Sequence, residues 1–575
     1  MSDGRQSRGV ELWLLIALLL ALGAISGLRP EDDSYQHFAR SYQQVAELDV
    51  RAWLLDLWNK PLPGLLYGVP GQLGVVAARC VAVALTVATA WLSAELCVHW
   101  IPDALRAARW PLIVLFMSQL ALLKDAFVTM TEIPAACLVS LAVWLRVVKQ
   151  RHWLAALVLG FVPLCRAEMV PIVGLGACWL AIDSCLASRE AGRPRAVHAL
   201  PVIFAAAPFV AWWLFGGLAG GDWGWFSRHS YAYWRSWDLA GLWQHNVFSG
   251  LANVAPSPLL FAAFTGLAQV PTLLRRHPHR WELTLITGML LAHYALLNSI
   301  AVFPRDWYGA PAGHAVAAIN GRNYSPTAGL ACCFAALGVA SWIQACRERE
   351  LGFAPRLWIA SGLSAVCSIS GRFPVCGLLA LDLGMLLVVT GGAICALRLG
   401  PRLTVASGWN CAALAALLSC LLIRPFFWYP TRWNERSAES VTALVELARR
   451  ERPARIVQDL ASSLAVFGNL KNVEAAWSWP HEFPSRLRDA SGTTLLVLET
   501  NAEGIPDGRY PEQILRLVAP DAAHRTPQIA MHFDSPSQGP WLECLNRLAV
   551  RNAKQHWTAY RMSPSGQQAP RPSGG

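Results

Sequence analysis

The chain has 575 residues, of which 54% are hydrophobic and only 15% charged, and its mean hydropathy is +0.35. Soluble domains carry about a quarter charged residues, so the composition excludes an ordinary cytosolic enzyme and makes the bilayer the solvent. The net charge of +11 sits as twos and threes of arginine between apolar runs, which is where cytoplasmic loop charges belong and argues against a nucleic-acid partner.

In chain order, Leu12 to Leu28 follows Arg5 and Arg8 and resembles a signal peptide, but no small-residue cleavage site follows before Arg29-Pro30, so it reads as a retained first span. Apolar stretches able to cross about 30 Å of hydrocarbon then recur to about Arg424. They lie near 10–28, 72–98, 110–124, 132–148, 153–165, 169–187, 199–219, 250–274, 283–301, 324–345, 357–371, 375–397 and 403–423. The expected fold class is an α-helical polytopic membrane protein with about thirteen spans and a small C-terminal soluble α/β domain.

With the N-terminus inside, every cytoplasmic segment is basic, from Arg5/Arg8 through Arg106/Arg109, Arg146/Lys149/Arg151 and Arg275/Arg276/Arg280 to Arg398/Arg402. The opposite loops collect Glu31, Asp32, Asp33, Asp56, Glu132, Glu168 and Asp306, so the acidic chemistry gathers on the outer face. Domain boundaries follow. Residues 1–424 form a transmembrane core with an amphipathic first outer loop over 29–70, residues 425–562 form an extracytoplasmic α/β domain, and residues 563–575, rich in Pro, Gly, Ser and Gln, form a disordered tail. The α/β reading rests on an amphipathic helix around Ser437 to Arg450 and strand patterns in Ala454 to Gln458 and Thr494 to Glu499. Of the 15 cysteines, 14 lie between Cys80 and Cys420 without metal spacing and read as small core residues.

The first outer loop is too long for a connector and carries two amphipathic stretches, Tyr35 to Leu48 and Arg51 to Trp58, suited to the membrane surface. Ahead of them stands Glu31-Asp32-Asp33. Such a cluster serves as a helix cap and interfacial anchor, or as a general base or metal ligand, because adjacent carboxylates raise one another's proton affinity. Lys60 follows in Asn59-Lys60-Pro61-Leu62-Pro63, where two prolines fix the backbone before the second span. A lysine there snorkels to headgroups or meets a lipid phosphate.

Four segments together resemble a known family: Asp32-Asp33-x-Tyr35, Lys60-Pro61-Leu62, Met130-Thr131-Glu132-Ile133-Pro134 and Gly321-Arg322-Asn323-Tyr324-Ser325-Pro326. Their order and spacing over nearly the whole membrane part are similar to the GT-C glycosyltransferases, in particular the protein mannosyltransferase and lipid A aminoarabinose transferase branch. Three departures are visible. The dyad is Asp-Asp rather than Asp-Glu, with Glu31 offering a competing register; Asn323 separates Arg322 from Tyr324; and Ile133 interrupts Thr-Glu-Pro.

The resemblance implies transfer of a sugar from a polyprenyl-phosphate carrier to an outer-face acceptor, usually with inversion. It implies Asp32 or Asp33 as the base, and Lys60, Arg166 and Arg322 as cations for the carrier phosphate, with Glu132, Glu168 and Tyr324 at the substrate site; His314, on the loop Val302 to Arg322, is a further candidate for a substrate hydrogen bond, although a lone histidine is more often structural. Residue chemistry supports those roles independently, since a displacement needs a base for the acceptor and cations for the departing phosphate. Arg166-Ala167-Glu168 reads equally as an internal ion pair at a span end. The tryptophans and tyrosines of residues 222–245 read as an interface belt in preference to a sugar-stacking platform. The expected partners are a polyprenyl-phosphate-linked sugar, an acceptor that is lipid, glycan or protein, and the bilayer. A divalent metal is left open, because adjacent acids allow one while the ligand set is incomplete. No cofactor-binding motif occurs in the C-terminal region, whose expected role is to position an acceptor or cap the cavity. The competing functions are a lipid-linked glycan polymerase or ligase, which depends on large Arg-rich outer loops, and a transporter, which needs mid-span charges or an inverted repeat.

Overall fold

A computed structural model describes most of residues 32–190, 200–226, 251–303, 316–317, 321–427 and 442–458, and the strand segments 473–475, 494–499, 528–534 and 556–562. The chain divides into two compact units, one holding the described residues of 41–303 and 316–428 and the other those of 32–40 and 429–575.

The first unit is helical. Six of its described helices are long and apolar enough to cross a bilayer: Ala77–Trp100, Ala167–Cys185, Leu200–Gly220, Tyr324–Glu348, Leu379–Arg398 and Val405–Leu422. Three shorter apolar helices accompany them, His152–Leu164, Ser257–Leu267 and Trp281–Leu297. The chain is therefore a mostly helical, multi-pass membrane protein. The expected first span lies outside the described residues.

Two other expected spans are shorter than those six. The segment near 110–124 contains the nine-residue helix Arg109–Met117, about 14 Å long and so half the depth of the hydrocarbon. The segment near 132–148 is the helix Glu132–Val147, of 16 residues. Both are buried along almost their whole length. Hydropathy reads an apolar helix packed inside protein and one facing lipid as the same signal, because either environment removes it from water.

Close helix contacts depend on missing side chains. Helix Ser257–Leu267 packs on helix Ala328–Glu348, and a Cβ on Gly266 would overlap the carbonyl oxygen of Phe334, as one on Gly338 would overlap that of Ala262. In a medium that gives helices no hydrophobic reason to associate, such backbone proximity supplies the dispersion that holds them. The start of helix Ser257–Leu267 is tied by Asp382, whose carboxylate accepts from the Ser257 backbone N–H at 3.0 Å and the Ser257 hydroxyl at 2.6 Å. The Ser368 hydroxyl donates to the same carboxylate, and all three residues are buried.

Arg146, read from the sequence as a loop cation, is buried instead. It pairs with Asp183, donates to Gln150 Oε1 at 2.6 Å and lies 3.8 Å from Glu282 Oε1. Trp225, expected in an interface belt, is a core residue: it packs edge-to-face on Trp212 and Phe226, and Gly216 leaves room for its ring. Its neighbour Trp223 is exposed.

The first unit also holds a short antiparallel pair, β1 (Val302–Phe303) and β2 (Val316–Ala317). In the second unit the strands β3 (Arg455–Gln458), β4 (Val473–Ala475), β5 (Thr494–Glu499), β6 (Gln528–Asp534) and β7 (His556–Met562) form one sheet in the order β4-β3-β5-β7-β6. β3 runs parallel to β4 and β5, while β7 runs antiparallel to β5 and β6. Leu444 and Leu447 of a helix over 442–451 cluster with Ile456, Leu495, Val497 and Ala559 of the sheet. The alternating apolar side chains of β5 thus meet one stripe of an amphipathic helix, the arrangement that covers a sheet face in an α/β layer.

Candidate active site

The segment before helix Pro61–Gly71 is built to hold Lys60 in an unusual backbone state. Prolines at its first turn start the helix with a preset φ and no wasted donor. Lys60 precedes them with φ 61° and ψ 153°, a region normally open only to glycine and costing a side-chain-bearing residue about 1–3 kcal/mol. The surroundings impose it. Asp56 accepts from the Asn59 N–H at 2.9 Å and from Gln44 Nε2 at 2.7 Å, Asn59 Nδ2 donates to Ser41 Oγ at 2.8 Å, and Trp53 Nε1 donates to the Pro61 carbonyl at 2.7 Å. A Cβ on Gly64 would lie 3.1 Å from the Trp53 ring and 3.3 Å from the Asn59 amide, so that these side chains would have to yield by a few tenths of an ångström.

Lys60 is only 4% exposed. Burial pushes its ammonium below the ordinary lysine value of 10.5, Glu168 pulls it back up, Arg166 lowers it again, and Glu132 and Asp56 add smaller upward contributions. The side chain thus sits at a desolvated position, where carboxylates on other elements offset part of the effect of burial.

Those carboxylates share one guanidinium. Arg166 pairs through Nη1 with Glu132 and through Nη2 with Glu168. Glu132 is 1% exposed and opens helix Glu132–Val147, where the helix dipole favours an anion. Thr131 donates its hydroxyl to Glu132 Oε2 at 3.2 Å rather than capping the helix backbone. The two motif segments are joined directly: Tyr67, fully buried in helix Pro61–Gly71, donates to the carbonyl of Met130 at 2.8 Å. Lys60, Glu132, Arg166 and Glu168 therefore form one charged cluster, and the ion pair suspected at Arg166-Ala167-Glu168 is present within it.

Tyr324 lies in the turn Gly321–Thr327, which packs against helix Glu132–Val147. It is buried, and its ring centroid is 4.5 Å from that of Tyr294 and 6.4 Å from that of His293. His293, inside helix Arg280–Ile300, has Nδ1 2.8 Å from Thr327 Oγ1. The sequence reading passed over this histidine, because an isolated His within an apolar run carries no motif.

The remaining candidates divide. Asp32 and Asp33 open helix Asp32–Ala46, Arg322 lies in the Gly321–Thr327 turn, and the side chains of all three, with the whole of His314, lie outside the described residues. Among the described residues no group of three or more His, Cys, Asp or Glu is arranged to hold a metal ion.

Neither a protein-family model nor a curated relative matches this sequence. Solved structures do. The chain is similar to ArnT from Cupriavidus metallidurans in the apo state, with a TM-score of 0.56 at 14% identity, over 95% of this chain and 97% of that one. It is equally similar, at 0.56 and 13% with the same coverage, to the same ArnT bound to undecaprenyl phosphate. The fold is ArnT-like. At this identity the likeness shows the fold alone.

Proposed function

We propose that the protein is a membrane glycosyltransferase that takes a sugar from a polyprenyl-phosphate carrier and delivers it, with inversion, to an acceptor hydroxyl on the extracytoplasmic side. The observation that carries this reading is Lys60: a buried cation, on a backbone conformation that costs energy, beside an Arg–Glu–Glu cluster in an ArnT-like fold. Strain and desolvation at one residue are tolerated when the conformation is used, and a desolvated ammonium is suited to a lipid phosphate. That one of the two ArnT structures holds undecaprenyl phosphate supports a carrier of this class.

In the proposed reaction Asp32 or Asp33 takes the proton of the acceptor hydroxyl as its oxygen attacks the anomeric carbon. The bond from that carbon to the phosphate oxygen breaks, and polyprenyl phosphate departs with the electron pair. Lys60 and Arg322 hold the departing phosphate, Arg for its forked donors and Lys as a point charge. Arg166, with both of its outer nitrogens engaged by Glu132 and Glu168, fixes the carboxylates that favour the ammonium form of Lys60 against burial. Inner-membrane residence and an extracytoplasmic domain over 425–562 belong to the same proposal.

The test is transfer of radiolabel from undecaprenyl-phosphate-linked sugars into envelope glycans and lipids by the purified protein. Asp32→Asn and Asp33→Asn are expected to abolish transfer while the protein remains inserted and folded, since an amide keeps the shape but takes no proton. Near-native turnover in both variants would exclude them as the base. Lys60→Met is expected to weaken undecaprenyl phosphate binding strongly; unchanged binding would remove the carrier reading.

A further inference from the structure

One ring nitrogen of His293, Nε2, is buried without a hydrogen-bond partner among the described residues. Its residue is 0% exposed. The Thr327 hydroxyl lies 3.3 Å from the Tyr324 carbonyl and 2.8 Å from His293 Nδ1; when its one hydrogen goes to the carbonyl, its oxygen receives a hydrogen from Nδ1. With the ring hydrogen on Nδ1, Nε2 presents a lone pair. Among the described residues Nε2 has no hydrogen-bond partner.

The cost of leaving that atom bare exceeds the gain of an average bond, because burial removes water without replacing it. Asp382, elsewhere in this core, is held by several donors, whereas Gln119 Oε1, Ser140 Oγ and Gln269 Nε2 share with His293 Nε2 the want of a partner among the described residues. His293 differs from them in its place beside the charged cluster: it contacts Tyr324 in the turn that packs on the Glu132 helix. The orientation is fixed from behind by Thr327 and from the side by Tyr294 and Tyr324.

We propose that His293 Nε2 accepts a hydrogen bond from a hydroxyl of the donor's sugar ring, so that His293 selects the sugar while Lys60 grips the phosphate. The inference rests on the glycosyl-transfer reading and assigns its sugar subsite. It requires a hydrogen-donating group on the ligand, which a sugar has and a bare polyprenyl phosphate lacks beyond its phosphate.

The experiment measures binding of undecaprenyl phosphate and of undecaprenyl-phosphate-linked glucose, galactose, mannose and arabinose by native mass spectrometry of the detergent-solubilised full chain. At least one glycosylated lipid is expected to bind the unmodified protein about tenfold more tightly than undecaprenyl phosphate, the worth of one well-made buried hydrogen bond. His293→Asn keeps a donor near Nδ1 for Thr327 but has nothing at the Nε2 position. It is expected to bind undecaprenyl phosphate as before and to lose the sugar's increment. His293→Gln, whose amide oxygen reaches the Nε2 position, is expected to recover part of it. An increment that survives in His293→Asn, a Gln variant no better than Asn, an Asn variant that also loses undecaprenyl phosphate, or an unmodified protein that gains nothing from any sugar overturns the inference. Failure of the unmodified protein to bind undecaprenyl phosphate overturns the carrier reading itself, and this subsite with it.

Discussion

The Tyr67 hydroxyl donates to the carbonyl of Met130 at 2.8 Å, across 63 positions of sequence, and both residues are buried. That one bond joins the helix that follows Lys60 to the turn that precedes Glu132. It is expected to set the distance between the two motif segments. Tyr67→Phe removes the donor and leaves a buried carbonyl without it, a loss of about 1–3 kcal/mol. Thermal unfolding in detergent should shift down modestly, and transfer should fall by more than the stability change accounts for. Turnover unchanged at a temperature where the variant is fully folded would separate the two segments functionally.

The Arg166 cluster should behave as a unit. Removing one member of a buried ionic group strands the others and costs about 3–5 kcal/mol. Arg166→Met leaves Glu132 and Glu168 facing each other without a shared cation and is expected to be more damaging than Glu168→Gln. Glu168 is the more exposed of the two carboxylates. A double-mutant cycle between Arg166 and Glu132, read by thermal stability, should give a coupling of about 1 kcal/mol or more; additive losses would mean that the pair contributes nothing beyond its separate side chains.

Lys60 carries a pH signature. Its proton affinity is held below the ordinary value of 10.5, chiefly by burial. The ammonium is therefore lost at a lower pH than for a solvated lysine, and phosphate binding that depends on it should decline as pH rises through that lowered value. The linkage for stability has the opposite sense: between the folded value and 10.5 the unfolded chain binds more protons, so this residue's contribution to stability rises with pH. The alkaline limb of kcat/KM reports the free protein. Lys60→Arg, charged throughout, should move that limb upward even where it lowers the maximum rate; an unmoved limb would assign it to another group.

The packing of helix Ser257–Leu267 on helix Ala328–Glu348 leaves no room for a Cβ at Gly266 or Gly338. The obstructing atoms are backbone carbonyls, which move only with the helix. Gly338→Ala is expected to cost about 1–3 kcal/mol through overpacking, against the usual gain of replacing a helical glycine by alanine. Gly384→Ala, where a Cβ meets nothing within 4 Å, serves as the control and should be neutral or stabilising.

Sequence reasoning reached different depths in different places. Lys60, Glu132, Arg166 and Glu168 were legible because each stands beside a proline, a span end or an opposite charge, and the structure gathers those four. Arg146 and Trp225 were misplaced for one common reason: a cation or an aromatic ring near a span end reads as surface until Asp183 in one case, or Trp212 and Phe226 in the other, is known to lie against it. His293 left no pattern at all, since its role is defined by Thr327 and Tyr324 on a later segment.

By itself the sequence determined that this is a multi-pass helical protein with a set of charged residues at the ends of its apolar runs. Those properties follow from transfer energies and local backbone preferences, which act residue by residue. Only the tertiary structure decided which apolar runs are short internal helices, that Tyr67 ties the Lys60 segment to the Glu132 turn, that Arg166 divides its guanidinium between two carboxylates, and that one nitrogen of His293 is left without a partner among the described residues. Burial and pairing are properties of atoms brought together from distant segments, and neither hydropathy nor spacing records which segments will meet.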